Sequence, residues 1–203
     1  PTTHGYTPLY VASSNGHVKI VQTLLTRDDI DVNKPKSDDG STPLYIASGT
    51  GRIEIVKALL AHPSIDVNKA EQDGCTSLWL ASQNGNVEIV QTLLGRDDID
   101  VNVPHTCGIT PLFIASQMNR VEVVRTLLAK EDIDVNKYNN QDATPLFIAC
   151  IYGYVEIVRL LLSQPNINIK TNPNDGCTAL GIATEQNHNE VVQLLIEAGA
   201  VMF

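Results

Sequence analysis

The sequence predicts an all-α solenoid in which short helix-turn-helix units stack in one direction. A seven-residue pattern, Thr-Pro-Leu-Tyr-Ile-Ala-Ser at 42–48, recurs in six copies whose leading threonines lie at 7, 42, 76, 110, 144 and 178. A fixed period of about 34 residues is the signature of a repeat architecture. We therefore expect a single domain over 1–203, with repeats at approximately 2–36, 37–70, 71–104, 105–138, 139–172 and 173–203.

The recurring pattern predicts the start of a first helix. Its threonine is a favoured N-cap, because the hydroxyl accepts a hydrogen bond from a backbone N–H that the first turn leaves without a partner. Proline, which follows in most copies, suits the first helical position. An alanine recurs at one position, where its small size lets a neighbouring helix approach closely. These alanines are Ala12, Ala47, Ala81, Ala115, Ala149 and Ala183.

A short break and a second helix follow in each copy. The break ends in Gly or Asn, and both residues tolerate the left-handed conformation of a helix C-cap. After it, apolar residues recur at helical spacing, as at Ile53, Val56 and Leu60. A glutamate lies in the first turn of the later copies, where it interacts favourably with the helix dipole. Lys19 takes its place in the first copy.

The segment after the second helix predicts a turn and a projecting loop. Ile-Asp-Val-Asn occurs first at 30–33 and returns in the next three copies, and a degraded form stands at 167–170. Ile and Val favour extended backbone, and Asp and Asn close turns through their own side chains. A glycine precedes the next threonine in most copies, while Asp142 replaces it once. We expect hairpin-like loops, with Asp142 able to adopt positive φ if the loop needs it.

Together these residues resemble the ankyrin repeat, whose typical length is 33 residues. The six copies cover nearly the whole chain. The family usually has histidine after Thr-Pro-Leu, whereas this chain has Tyr10, Tyr45, Trp79, Phe113, Phe147 and Gly181. The segment before Asp-Val-Asn is also one residue longer than usual, which explains the 34-residue step, and only Gly199-Ala200 reverts.

The resemblance implies non-catalytic protein–protein recognition on the concave face formed by loop tips and first helices. Solenoids present such an extended curved surface. One alternative is a structural or regulatory segment of a larger protein, such as an enzyme or channel. Another is a small-ligand sensor, which would need basic and aromatic residues converging on the inner face, and the sequence shows few.

The charge and the cysteine content of the chain limit the classes of partner and the cellular compartment that we expect. The formal net charge is −9 and the basic residues are dispersed, so nucleic acid is disfavoured as a partner. No signal peptide or long apolar run is visible, and we expect no membrane insertion. The four cysteines, Cys75, Cys107, Cys150 and Cys177, form no C-x-x-C pair. Free thiols fit a reducing compartment, so we expect the protein in the cell interior, in the cytoplasm. We also expect it to be a monomer.

Catalytic, metal and cofactor chemistry lack candidate residues. His105 and Cys107 are close in sequence, but two residues do not make a four-ligand zinc site. A Cys-His nucleophile pair would also need an orienting partner and an enclosed pocket. No phosphate-binding glycine loop, H-E-x-x-H or G-x-S-x-G motif occurs. We therefore expect no enzyme activity, no metal and no cofactor.

Two recurring residue types have both a structural and a functional interpretation. The aromatic residues after Thr-Pro-Leu form a ladder, which we interpret as packing between stacked first helices, with rings able to pair edge to face. The rival interpretation is a row of rings for stacking bases, which the acidic charge disfavours. The asparagines Asn33, Asn68, Asn102 and Asn136 are predicted turn residues. The resemblance implies that they are possible substrates of asparaginyl hydroxylation.

The first and last repeats differ in character. Repeat 6 is polar at 184–190, and Asn189 stands where Val155 stands one repeat earlier. A polar outer face is what a terminal capping repeat needs. Repeat 1, with Val11, Val18 and Ile20, looks like an internal copy. We therefore expect that the native chain continues before Pro1 and that a further helix or repeat packs there.

The partner-binding site is predicted in repeats 4 and 5. The first helices of repeats 1 to 3 end in small or polar residues, but those of repeats 4 and 5 end in Gln117-Met118 and Ile151-Tyr152. An apolar patch rimmed by polar residues marks interaction sites, and Tyr and Met are enriched in interface cores. The alternative is that Ile151 and Tyr154 pack locally. The predicted contact residues are Ile109, Met118, Tyr138, Ile151, Tyr152 and Tyr154.

Overall fold

The computed structural model describes residues 5–170 and 178–201, which form 12 α-helices and contain no β-strand. The predicted all-α solenoid is confirmed. Each repeat contributes two antiparallel helices joined by a tight turn. The helices are α1 (Pro8–Asn15), α2 (Val18–Leu25), α3 (Pro43–Gly49), α4 (Ile53–Leu60), α5 (Ser77–Asn84), α6 (Val87–Leu94), α7 (Pro111–Gln117), α8 (Val121–Leu128), α9 (Pro145–Tyr152), α10 (Val155–Leu162), α11 (Ala179–Glu185) and α12 (Asn189–Glu197).

The helices form two layers with the main core between them. Each odd-numbered helix packs against its own partner and against the odd-numbered helices of adjacent repeats, and the even-numbered helices form a parallel row. One continuous apolar cluster runs through the stack from Leu9 to Leu195. The six recurring alanines are all buried in it, as close helix approach requires. The main helix–helix contacts are thus within one repeat or between adjacent repeats.

The first helices begin where the sequence predicts. In all six copies the threonine hydroxyl accepts a hydrogen bond from the backbone N–H three residues later, as from Tyr10 to Thr7 at 3.0 Å. The break after each first helix is left-handed, with φ of 78° at Gly16 and 53° at Asn119. Asp142 adopts φ of 59°, so it does take the glycine conformation in its loop.

The Asp-Val-Asn segments differ from the prediction in one respect. The aspartates close the turns as expected: the Asp100 carboxylate accepts from the Asn102 backbone N–H at 2.9 Å. The asparagine side chain instead reaches the next repeat. Asn102 Nδ2 donates to the Asp132 carbonyl at 2.7 Å, and its Oδ1 accepts from the Asp134 N–H at 2.8 Å. Asn33, Asn68 and Asn136 make the same two bonds. We call these contacts the amide bridges.

The loops between repeats are hairpin-like and linked to one another. Within one loop the His105 N–H donates to the Ile109 carbonyl at 2.9 Å. Between loops, the Thr106 N–H donates to the Asp73 carbonyl at 2.8 Å, and the Asn140 N–H donates to the Cys107 carbonyl at 2.9 Å. These bonds align successive loops along one edge of the first-helix layer.

The two ends of the stack expose apolar residues that internal repeats bury. Ile20 in α2 is 51% exposed, whereas its equivalents in the other five repeats are at most 2% exposed. Those equivalents are Ile55, Ile89, Val123, Ile157 and Val191. The face that each internal repeat turns toward its predecessor is therefore open in repeat 1. Ile196 and Val201 are exposed at the other end.

Candidate partner-binding surface

The side of the first helices that faces the loops carries its own apolar layer. One cluster contains Cys75, Trp79 and Ile114, and a second contains Phe113, Ala143, Phe147 and Ile148. Ile109 packs against both. Because Cys75, Ile109 and Ala143 belong to the loops, these clusters join the loops to the first-helix layer. The two clusters therefore hold the loops in a fixed position relative to the first helices.

The aromatic ladder lies within this layer. Tyr10, Trp79, Phe113 and Phe147 are buried, and Tyr45 is half-buried, so the packing interpretation describes them. Trp79 shares a cluster with Ile114 of the next repeat, and Phe113 shares one with Ile148 of the next repeat. Within the described ranges, the ladder rings make ring contacts only outside the ladder: Tyr10 with Tyr6 and Trp79 with His105. The expected edge-to-face pairing between ladder rings is therefore absent there.

Trp79 also connects its repeat to the next loop. Its indole Nε1 donates to the Ile109 carbonyl at 2.9 Å, and its ring stacks on His105 with centroids 5.7 Å apart. The polar end of the buried indole thus has a partner, as buried tryptophans usually do. This contact holds the loop that carries Ile109 against the first helices.

Two of the predicted contact residues are well exposed. Met118, which caps the C-terminal end of α7, is 40% exposed, and Tyr152, the last residue of α9, is 48% exposed. They occupy equivalent positions in adjacent repeats. Because α7 and α9 pack side by side, the two side chains lie in one row along the stack. Equivalent positions in repeats 1 to 3 hold Asn15, Thr50 and Asn84.

The remaining predicted residues are partly buried. Ile109 and Ile151 both pack against the cluster around Phe113 and Phe147, Ile109 from the loop before α7 and Ile151 from the last turn of α9. Tyr154 packs against the main core as the N-cap of α10. Its ring also stacks on that of Tyr152, with centroids 5.5 Å apart and an angle of 21° between the ring planes. Tyr138 is half-buried in the loop between repeats 4 and 5.

The ends of the first helices are held by the following second helix. Asn86 Nδ2 donates to the Ser48 carbonyl at 2.8 Å, and Arg120 Nε donates to the Gln83 carbonyl at 3.0 Å. Between repeats 5 and 6, His188 Nε2 lies 3.0 Å from the Ile151 carbonyl. These contacts fix the ends of α3, α5 and α9, and the last of them supports the position of Tyr152.

Glu185 was not among the predicted contact residues, yet it belongs to the same surface. It is exposed, it ends α11, and it occupies the position of Ile151 one repeat earlier. It is also the only charged residue in the six described first helices. Aligning the six copies would have revealed it, because the equivalent positions 14, 49, 83, 117 and 151 are all uncharged.

The cysteines differ in their surroundings. Burial raises the pKa of Cys150 to about 12, and burial together with Glu71 raises that of Cys75 to about 12. Cys107 is exposed, and its backbone N–H donates to His105 Nδ1 at 3.0 Å. Cys177 lies outside the described residues. Within the ranges that the structure describes, no three His, Cys, Asp or Glu residues come together as a metal site, and no helix is long and apolar enough to cross a membrane.

Comparison with known families gives matches over nearly the whole chain. A family model described as ankyrin repeats in three copies matches residues 28–105, 65–139, 96–172 and 133–202. A model of the single ankyrin repeat matches residues 4–37. No curated protein matches the sequence.

Several solved structures share the fold. The ankyrin repeat protein EF0377 has a TM-score of 0.87 and 26% identity, over 95% of this chain and 98% of that chain. An ankyrin repeat domain from Acinetobacter baumannii has a TM-score of 0.86 and 29% identity, over 96% and 98%. The ankyrin repeat domain of Bcl-3, a member of the IkappaB family, has a TM-score of 0.87 and 24% identity, over 97% and 88%.

Proposed function

The chain belongs to the ankyrin repeat family, and from that premise we propose that it binds a partner protein, without catalysis, on the face formed by its loop tips and first helices. Ankyrin repeats generally serve as protein-interaction modules. For this chain we assign the contact to repeats 4 and 5, at Ile109, Met118, Tyr138, Ile151, Tyr152 and Tyr154.

The observation that carries this proposal is the exposure of Met118 and Tyr152 at the ends of two first helices that pack side by side. Large apolar side chains exposed together within a polar surface mark interaction sites, and Tyr is among the residues that dominate binding energy. Here the row continues into polar residues on both sides, at Asn84 and Gln186. Ile151, which precedes Tyr152, packs against the cluster around Phe113 and Phe147, and this contact holds the end of α9 in place.

The proposal is tested by changing Tyr138, Met118 and Tyr152 to Ala, singly and together. Partner proteins are first captured from the source cell with the unchanged chain and identified by mass spectrometry. We expect at least one single change to weaken binding of the identified partner by about 1–3 kcal/mol, with stability changes of roughly 0.5 kcal/mol. Isothermal titration calorimetry and urea unfolding measure the two quantities.

A matched control is Ile196→Ala, which removes a similarly exposed apolar side chain near the C-terminal end of α12, in the second-helix layer. It should leave partner affinity unchanged. Undiminished binding by the triple variant would contradict the assignment of the site. A large fall in melting temperature from each single change would show that these side chains support the fold instead.

A second candidate function is that of a structural or regulatory segment within a larger protein. The exposure of Ile20 favours it, because the same face is covered in every other repeat. In such a protein a neighbouring element would lie on α1 and α2. Protection of the Ile20 amide region from hydrogen exchange in the full-length protein, compared with the isolated chain, would support this candidate.

A further inference from the structure

We propose that the partner presents an arginine to Tyr152 and Glu185, with a neighbouring apolar residue against Met118. This inference rests on the proposed function and specifies the chemistry of the partner segment. It follows from the charge, the ring arrangement and the spacing at the ends of α9 and α11.

The charge of Glu185 is isolated on this face. The glutamates of the second helices have cationic neighbours: Arg125 lies 3.2 Å from Glu156, and Arg159 lies 3.5 Å from Glu190. Among the described residues, the Glu185 carboxylate has no ion-pair partner closer than 4.0 Å. A lone carboxylate at the edge of an apolar patch favours a partner with a positive charge at that place.

The ends of α9 and α11 lie side by side. His188 Nε2 is 3.0 Å from the carbonyl of Ile151, and Ile182, one turn before Glu185, packs on the same cluster as Ile151. Neighbouring packed helices are about 8–10 Å apart. A guanidinium stacked on the ring of Tyr152 is therefore placed to direct its outer N–H donors across this gap toward the Glu185 side chain.

The ring of Tyr152 has one face covered and one face available. Tyr154 stacks on it in nearly parallel fashion, at 5.5 Å and 21°, yet Tyr152 remains 48% exposed. The stack fixes the orientation of the outer ring. A cation over the face of a fixed tyrosine ring is stabilised by the ring quadrupole.

Arginine fits this arrangement better than lysine. Its planar guanidinium stacks on an aromatic face and still directs N–H donors sideways to a carboxylate, whereas a lysine ammonium is a compact, strongly hydrated charge. Met118, one repeat away from Tyr152, offers an apolar and adaptable contact for the residue next to the arginine. The partner segment is therefore a basic and apolar peptide.

A phage-displayed library of random peptides, selected on the folded full chain, tests the inference without an identified partner. We expect the selected peptides to be enriched in arginine next to an aliphatic or aromatic residue. Selection on Glu185→Lys should remove that enrichment, whereas selection on Glu197→Lys should retain it. Glu197 is an exposed glutamate on α12, away from the first helices.

The affinity of one selected peptide, measured by fluorescence anisotropy, gives the size of each contact. Glu185→Gln should weaken binding about 2- to 5-fold and reduce its salt dependence, as expected for an exposed ion pair. Tyr152→Leu should weaken it by a similar factor, and Tyr152→Phe should have little effect. Glu197→Gln should leave the affinity unchanged.

The outcomes separate this inference from the proposed function. Peptides that require Met118 and Tyr152 but show no arginine enrichment would overturn the inference and leave the binding face in place. Peptides insensitive to Met118→Ala and Tyr152→Ala would overturn both. A library that yields no binder, or arginine-rich peptides that bind Glu185→Gln as well as the unchanged chain, would also overturn the inference.

Discussion

At the scale of single residues, the asparagine amide bridges make a sharp stability prediction. Asn102→Ala removes both bonds to the backbone of the next repeat, at 2.7 and 2.8 Å. The Asp132 carbonyl and the Asp134 N–H then rely on water. We expect a loss of about 1–3 kcal/mol in the free energy of unfolding, measured by urea denaturation.

The control for this change is Asn15→Ala. Asn15 is exposed at the end of α1, and its side chain makes no hydrogen bond to another repeat within the described part of the chain. Its replacement should alter stability by less than about 0.5 kcal/mol. If Asn102→Ala were equally mild, the amide bridges would not contribute measurably to stacking.

Thiol reactivity is a second prediction at this scale. With pKa values of about 12, Cys75 and Cys150 are thiolate to only about one part in ten thousand at pH 8. Cys107 is exposed. We expect iodoacetamide at pH 8 to modify Cys107 well before Cys75 and Cys150, as measured by peptide mass spectrometry. Rapid modification of Cys150 in the folded protein would contradict its burial.

At the scale of elements, the loops between repeats differ in backbone strain. Asp142 has φ of 59°, and the equivalent Gly108 has φ of 79°. A left-handed conformation costs an L-residue more than it costs glycine. We therefore expect Asp142→Gly to raise the free energy of unfolding by up to about 1 kcal/mol, measured by chemical denaturation.

The reverse change should be harmful. A Cβ atom on Gly108 would lie 2.7 Å from Asn140 Oδ1 and 2.9 Å from Asn139 Cα, in addition to the left-handed strain. Gly108→Ala should therefore cost more than about 1 kcal/mol. A stabilising Gly108→Ala would show that the loop adjusts freely and that its backbone conformation is not decisive.

The elements also show why some features could be predicted and others could not. Thr42 caps its own helix by accepting a hydrogen bond from the Tyr45 N–H, and Gly16 adopts positive φ in its own turn. Helix starts and left-handed breaks can therefore be predicted from the local sequence. Asn102 has its partners in the following repeat, at Asp132 and Asp134. Its bridging role depends on how repeats stack, and a single copy of the motif does not contain that information.

The contact surface was predictable only in part for the same reason. Met118 and Tyr152 stand out because their equivalents in repeats 1 to 3 are polar. The burial of Ile151 and Tyr154 depends on Phe147 and on the main core, which become neighbours only in the folded stack. The role that we propose for Glu185 depends on the lack of a cationic neighbour among the described residues, and the arrangement of charges on a surface cannot be read from a single repeat.

At the scale of the whole molecule, the cost of losing a side chain depends on its place in the stack. Ile20 and Ile89 are equivalent in sequence, but Ile20 is 51% exposed and Ile89 is 2% exposed. We expect Ile89→Ala to cost about 2–4 kcal/mol because it opens a cavity between repeats. Ile20→Ala should cost about 0.5 kcal/mol.

Urea unfolding of both variants provides the measurement. A second readout is an added copy of residues 40–73 placed directly before Gly5, which supplies a neighbour for repeat 1 in the same register. In that longer chain Ile20→Ala should become nearly as costly as Ile89→Ala, because neighbour contacts set the stability of a repeat. Equal costs for the two changes in the original chain would contradict the exposure of Ile20.

The amide bridges also bear on how such a chain can grow in evolution. Each bridge joins an asparagine to the backbone of the next unit only, so a tandem duplication of 34 codons inserts a unit that already carries its own bridge and the backbone its predecessor needs. Later substitutions at positions other than the asparagine leave that connection intact. Such drift is least constrained where Met118, Tyr152 and Gln186 share one position, and new binding preferences can arise there while the stack is preserved.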